Sequence, residues 1–216
     1  MTNSQTKNGQ RQGRVINPTL ADYGRLRIQY SWIDLFNKAG KAMISAPDVY
    51  SAQDSILSSL REDLKKDRLV TSTRISCNEN DLGAKIIQDV GSTVVKPTEK
   101  SIVVPVYSNK RIAKAAKTKN GLKYLQALFN TEDKASKLIG RLEEISEKGA
   151  EDIRIWTPYQ EQKLLRSEMA VLFSLNYGQF NIFSNIWADS SPGYSLGVSV
   201  KSEEKQWQNT NQQLKR

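Results

Sequence analysis

The sequence predicts an α+β fold, with a helical N-terminal half containing short strands, two central helices and a C-terminal antiparallel β-meander. Three observations lead there. Apolar residues recur at helical spacing between 26 and 68 and again between 110 and 148, the period shortens to two after residue 152, and turn residues such as Tyr177-Gly178 separate the alternating runs.

In chain order, residues 1–16 are rich in Asn, Gln, Gly, Ser and Thr, too poor in apolar side chains to repay ordering, and read as a mobile basic arm. Asn17-Pro18-Thr19 with Asp22 resembles a capped helix start, and Leu26, Tyr30, Ile33, Phe36 and Met43 carry helical spacing to about residue 44. Ser45-Ala46-Pro47-Asp48 marks a second start, after which Ile56, Leu57, Leu60 and Leu64 share a face as far as Arg68. These two helices are expected to pack on each other. "LVTSTRISC" then alternates as a strand, and "NDLGAKIIQDVG" suggests a short helix stopped by Gly91. "STVVKPTEKSIVVPVY" suggests two strands around Pro97-Thr98-Glu99, the second at a sheet edge because Pro105 cannot donate to a ladder. Helices over 110–129, broken near Asn120-Gly121, and 132–148 follow, then the strand "DIRIW", a helical turn within 159–167, and three strands of a meander ending at Lys201. Residues 17–201 form one globular domain in this reading, and 202–216 a polar tail.

Composition removes several chemistries. The chain has no histidine and one cysteine, Cys77, so imidazole bases, Ser-His-Asp and Cys-His arrangements, zinc sites and internal disulfides are all ruled out. No glycine-rich stretch matches a Walker A loop or a dinucleotide fingerprint. An enzyme built on this chain would be left with carboxylates and a hard cation, a lysine, or a serine activated by lysine, and the sequence assigns no cofactor, no metal ligand and no catalytic residue. No run of about eighteen apolar residues is present, and the N-terminus lacks the apolar centre of a signal peptide, which implies an intracellular protein with no membrane partner.

The net charge of +9 is local. Residues 22–99 carry eleven basic and eleven acidic groups, and 131–172 seven against nine, whereas 100–130 hold seven basic groups and no acid. Those seven are Lys100, Lys110, Arg111, Lys114, Lys117, Lys119 and Lys123, and Arg11 and Arg14 add to them from the arm. Ordinary surface helices mix Glu with Lys at i,i+4. Here the counter-charge is missing, and such clustering is the electrostatic footprint of a phosphate-binding surface. The expectation is a largely sequence-nonspecific nucleic-acid-binding protein, for DNA or RNA, viral and mobile-element proteins included. Lysine outnumbers arginine six to one across 100–130, which suits attraction to phosphates better than bidentate base readout. A helix-turn-helix around Asn120-Gly121 is disfavoured, because the following residues Leu122, Tyr124, Leu125, Leu128 and Phe129 are apolar and leave only Lys123 and Gln126 for a groove. Tyr107, Tyr124, Tyr177, Phe180 and Phe183 are the aromatic candidates for base stacking.

Two alternatives keep the same charge pattern in view. One is a packaging or assembly protein that forms a homo-oligomer through an exposed sheet edge. The other is a magnesium-dependent nuclease: Pro47-Asp48 followed by Asp63-Leu64-Lys65 resembles the order of acids and lysine in PD-(D/E)xK nucleases, where two carboxylates hold a divalent cation. That resemblance implies a strand for the later residues, while the sequence there has helical period. A second enzymatic possibility collects Glu168, Asp189 and Lys201 around the meander. An acidic protein partner would satisfy the same lysines as a phosphate backbone.

Overall fold

The structure, a computed structural model, describes residues 14–20, 26–77, 83–164, 167–190 and 192–200. Within them the chain is α+β, in the order β1 (Arg14–Leu20), α1 (Gln29–Lys38), β2 (Ala42–Met43), α2 (Ala46–Tyr50), α3 (Asp54–Lys66), β3 (Leu69–Cys77), β4 (Gly83–Gln88) and β5 (Thr98–Val103). There follow β6 (Lys110–Arg111), α4 (Ile112–Ala116), α5 (Lys119–Phe129), α6 (Ala135–Ser146), β7 (Ile153–Trp156), α7 (Gln160–Leu164), β8 (Ser167–Asn176), β9 (Gln179–Trp187) and β10 (Leu196–Val200). The predicted tail from 202, Lys201, and residues 1–13 of the predicted arm lie outside the described residues, while Arg14 opens β1.

Seven strands form one sheet in the order β5-β4-β3-β8-β9-β7-β6, antiparallel except where β7 runs parallel to β9. A smaller antiparallel sheet has the order β1-β10-β2. The two are joined at β3, whose Val70 and Ser72 amides donate to the carbonyls of Tyr194 and Ile44 at 2.8 and 2.7 Å. Helices α2, α4, α5 and α6 pack among themselves and against the large sheet, with α5 on β5, α4 on β6 and β7, and α3 on β8. A chain of rings, Tyr50–Phe129–Phe173–Phe180, runs from α2 through α5 into β8 and β9 with centroid separations of 5.0, 6.3 and 5.9 Å.

Several local expectations hold. Ser45 and Asp48 close a capping box at α2, Leu57, Leu60 and Leu64 are buried on α3, and β5 is an outer strand with Pro105 just beyond it. Others give way to pairing. Residues 17–20 lie in β1 against β10, with Pro18 inside the irregularity between Asn17 and Leu20, where a missing N–H breaks no regular ladder bond. Helix α1 starts only at Gln29, and its main neighbours are β2 and β3, as those of α3 are β8 and α6.

Of the helix expected over 80–91, residues 83–88 form β4 instead, and 80–82 lie outside the described residues. Ala84, Ile86 and Gln88 are buried between β3 and β5 while Lys85 is exposed, so period two wins. The stretch 92–96 is a turn, not a strand: the Ser92 hydroxyl accepts from the amides of Val94 and Val95 at 3.2 and 3.1 Å. β8 and β9 form the expected hairpin, but the third strand, β10, leaves it for the small sheet.

The join at β3 is polar. Thr71, Ser72, Thr73 and Arg74 are all buried, and other elements supply their partners. Gln29 of α1 donates Nε2–H bonds to the carbonyls of Thr71 (2.7 Å) and Thr73 (3.1 Å) and accepts from Arg74 Nε at 2.9 Å. Thr73 Oγ1 donates to Gln88 Oε1 at 2.5 Å and accepts from the Ala46 amide at 2.8 Å. Gln88 in turn donates to the Leu128 carbonyl at 3.0 Å, and Ser72 Oγ donates to the Met43 carbonyl at 3.2 Å. Replacing Gln29 with Leu removes three of these bonds in a dry setting. At about 1–3 kcal/mol for each buried group left unpaired, the expected loss is on the order of 3 kcal/mol, read as a lower urea midpoint with an unchanged slope.

Candidate nucleic-acid interface

The basic segment is a strand end and two helices, where the sequence suggested one helix broken near Asn120-Gly121. The break falls earlier, at Lys117-Thr118, because Thr118 takes extended geometry and caps α5. Its Oγ1 accepts from the Gly121 amide at 3.0 Å, donates to the Ala115 carbonyl at 3.0 Å, and shares a 2.9 Å hydrogen bond with the Tyr107 hydroxyl. Gly121 fits against α4: a Cβ there would lie 2.1 Å from the Ala115 carbonyl oxygen. Below the corner, Ile112, Ala115, Tyr124, Leu125 and Leu128 are buried, and Tyr124 hydrogen-bonds Ser184 at 2.6 Å.

Lys114, Lys117, Lys119 and Lys123 stand on this corner. All four are exposed, and none forms an ion pair among the described residues. Lys119 occupies the first position of α5, whose first turn holds no acid, so cations face the positive end of the helix dipole. A bound anion would relieve that arrangement.

The remaining predicted residues are placed differently. Lys100 lies on β5 and reaches Glu132 at 3.7 Å; Arg111 pairs with Glu151; and Lys110 is half-buried, 5.9 Å from the centroid of the Tyr107 ring. The premise that the whole segment is uncompensated is therefore corrected for Lys100 and Arg111, which find carboxylates from beyond residue 131. Arg14 lies in β1, and Arg11 lies outside the described residues.

Four other acids after the segment are engaged elsewhere. Asp133 pairs with Lys137 and accepts from Tyr50, Glu144 meets Arg141, Glu147 meets Arg61, and Glu143 accepts from the Ala150 amide. Burial pushes the Asp133 carboxyl up, but hydrogen bonds from Lys137, Tyr50 and Thr131 outweigh it and hold it below the usual carboxylate range.

Of the five aromatic candidates, Tyr124 and Phe180 are fully buried, Phe183 stacks on Trp156 at 4.7 Å, Tyr107 is half-buried, and Tyr177 is 98% exposed.

The nuclease-like order is not assembled on a strand. Asp48 is buried and accepts from the Ser45 amide and hydroxyl at 2.8 and 2.6 Å, while Asp63 and Lys65 sit on α3, paired with Lys66 and Glu62. Among the described residues no group of three or more His, Cys, Asp or Glu side chains could hold a metal. Cys77 is buried, and burial pushes its thiol up against the opposing influence of Ser167 and Lys163. Lys163 is buried too, its ammonium pushed down by burial and donating to the Val104 carbonyl.

Glu168, singled out in the sequence with Asp189 and Lys201, has partners that the sequence did not indicate. Glu168 accepts from Arg74 Nη1 at 2.7 Å and from the Tyr30 hydroxyl at 2.6 Å, and the Arg74 guanidinium lies 4.3 Å from the Tyr30 ring centroid. Burial and Glu168 push the Tyr30 phenol up, Arg74 opposes, and Asp189 adds to the rise. The members of this cluster come from α1, β3 and β8, so no local spacing announces it.

A Gly121→Ala substitution tests how firmly the corner is set. A Cβ overlapping a backbone carbonyl forces α4 and α5 apart, and we expect a loss of about 1–3 kcal/mol in urea denaturation, larger than any helix-propensity gain.

Comparison with known proteins gives no match: no family model fits the chain, and no curated protein or solved structure is significantly similar to it.

Proposed function

We propose that this chain binds nucleic acid, DNA or RNA, by contacting phosphates through Lys114, Lys117, Lys119 and Lys123, without reading base sequence. The supporting observation is that these four exposed lysines lie on the α4–α5 corner capped by Thr118, while Asp133, Glu144 and Glu147 from the following segment pair with other residues. Lysine on a solvated stem is a point charge, suited to phosphate oxygens more than to base edges. The five-residue α4 and the buried face of α5 leave no projecting recognition helix.

Four phosphate contacts give a slope of about −3.6 in a plot of log affinity against log salt for duplex DNA. A fluorescence-anisotropy titration at several salt concentrations measures it. Converting Lys114 and Lys117 together to Glu is expected to weaken binding to unrelated sequences alike, by tenfold or more. Salt-independent binding, or a double variant that binds like wild type, rejects the reading.

Self-association is a second reading, favoured by one observation. β5 is an outer strand exposed along nearly its whole length, with Val103 56% exposed, between Pro97 and Pro105. Two copies of β5 pairing about a two-fold axis must set residues of equal parity opposite each other. Centring on Glu99 or Lys100 opposes like charges, whereas centring on Ser101 places Lys100 opposite Ile102 and Glu99 opposite Val103. A Ser101→Cys chain is then expected to form a disulfide-linked dimer on mild oxidation, and Thr98→Cys is not. A monomer by light scattering, with no cross-link at position 101, removes this reading.

A further inference from the structure

The β8–β9 hairpin turns through two residues, Tyr177 and Gly178, with φ of 48° and 74° between the paired Asn176 and Gln179. Positive φ at both central positions is the geometry of a type I′ turn, which favours Asn, Asp or Gly because a larger side chain crowds the backbone there. The other described non-glycine residues with positive φ are Asp89, Asn109, Asn130 and Glu147. Tyr177 is the one aromatic among them, and its ring gains no packing in return, being 98% exposed. Local preference and burial both argue against tyrosine at this position, and such a conflict points to function.

The strand order places the turn at the same end of the sheet as the start of α4, the helix that leads into the lysine corner. β9 leaves the turn parallel to β7, with the Phe180 amide donating to the Asp152 carbonyl at 3.0 Å, and β6 runs antiparallel to β7 directly into α4. The turn and the start of α4 therefore lie at the same end of the sheet, separated by β7, about 10 Å apart at the usual strand spacing.

We infer that Tyr177 is a stacking platform for an unpaired base, so that the nucleic acid held by this surface is single-stranded. This rests on the phosphate-binding reading and specifies its substrate class. A ring projecting from a turn offers a face to a base that has left its stack, whereas a duplex presents base edges and phosphates to a protein surface.

Affinities for a single-stranded oligonucleotide and for its duplex are measured on wild type, Tyr177→Asn and Tyr177→Phe. Asn suits the turn, so Tyr177→Asn should melt no lower than wild type while losing roughly tenfold in single-strand affinity. Its duplex affinity and salt slope should be unchanged, and Tyr177→Phe should bind like wild type. In Tyr177→Trp, added single strand should quench the new indole fluorescence. If Tyr177→Asn binds single strands as wild type does while the Lys114 and Lys117 reversal weakens them, stacking is rejected and phosphate binding stands. Equal losses for single strand and duplex also reject it. A wild-type chain that binds neither overturns both.

Discussion

The structure depends on satisfying the buried backbone and side chains of one polar strand. Val70 to Arg74 of β3 lie where the small sheet meets the large one, and a run of hydroxyls and a guanidinium there would be costly if left unpaired. Gln29, Gln88, Ala46 and Met43 supply the partners, each from a different element. The same bonds therefore fix α1 over β3, α2 beside it, and β4 against α5 through the Leu128 carbonyl. Buried networks of this kind specify position more sharply than apolar contact, because a displaced partner exposes a donor or acceptor to nothing.

The position of α5 carries that order outward. Its buried face packs on the aromatic chain through Phe129 and on Ser184 through Tyr124, so the opposite face is held rigidly at the surface. Thr118 and Gly121 then set the angle between α5 and α4. The backbone positions of the lysines on this corner are thereby fixed relative to one another. The hairpin tip belongs to the same framework, because β9, β7 and β6 connect it to the start of α4 without an intervening loop.

Where local chemistry alone sets the conformation, the sequence is readable. The Ser45–Asp48 capping box, the apolar face of α3, the turn marked by Gly178 and the edge position of β5 follow from side-chain geometry within a few residues. Misreadings occur where one pattern supports two structures. "GAKIIQ" has apolar residues at both helical and alternating spacing, and its neighbours β3 and β5 decide for a strand. Asn17-Pro18-Thr19 has the composition of a helix start, yet β10 is available to pair with it. In the basic segment the charge excess is legible, but the subset left unpaired is not. Glu132 and Glu151 reach back across the fold to Lys100 and Arg111, and only proximity in space reveals it.

Sequence by itself determined the α+β class, the absence of imidazole and paired-cysteine chemistry, and the concentration of cations between 100 and 130, because composition and periodicity are properties of the chain alone. Tertiary structure decided the separation of β10 from the meander, the partners of the β3 hydroxyls, and the pairing of Lys100 and Arg111 with carboxylates while Lys114, Lys117, Lys119 and Lys123 stay exposed and without an ion pair among the described residues. Those outcomes depend on long-range pairing and on desolvation, whose energies exist only once distant segments meet.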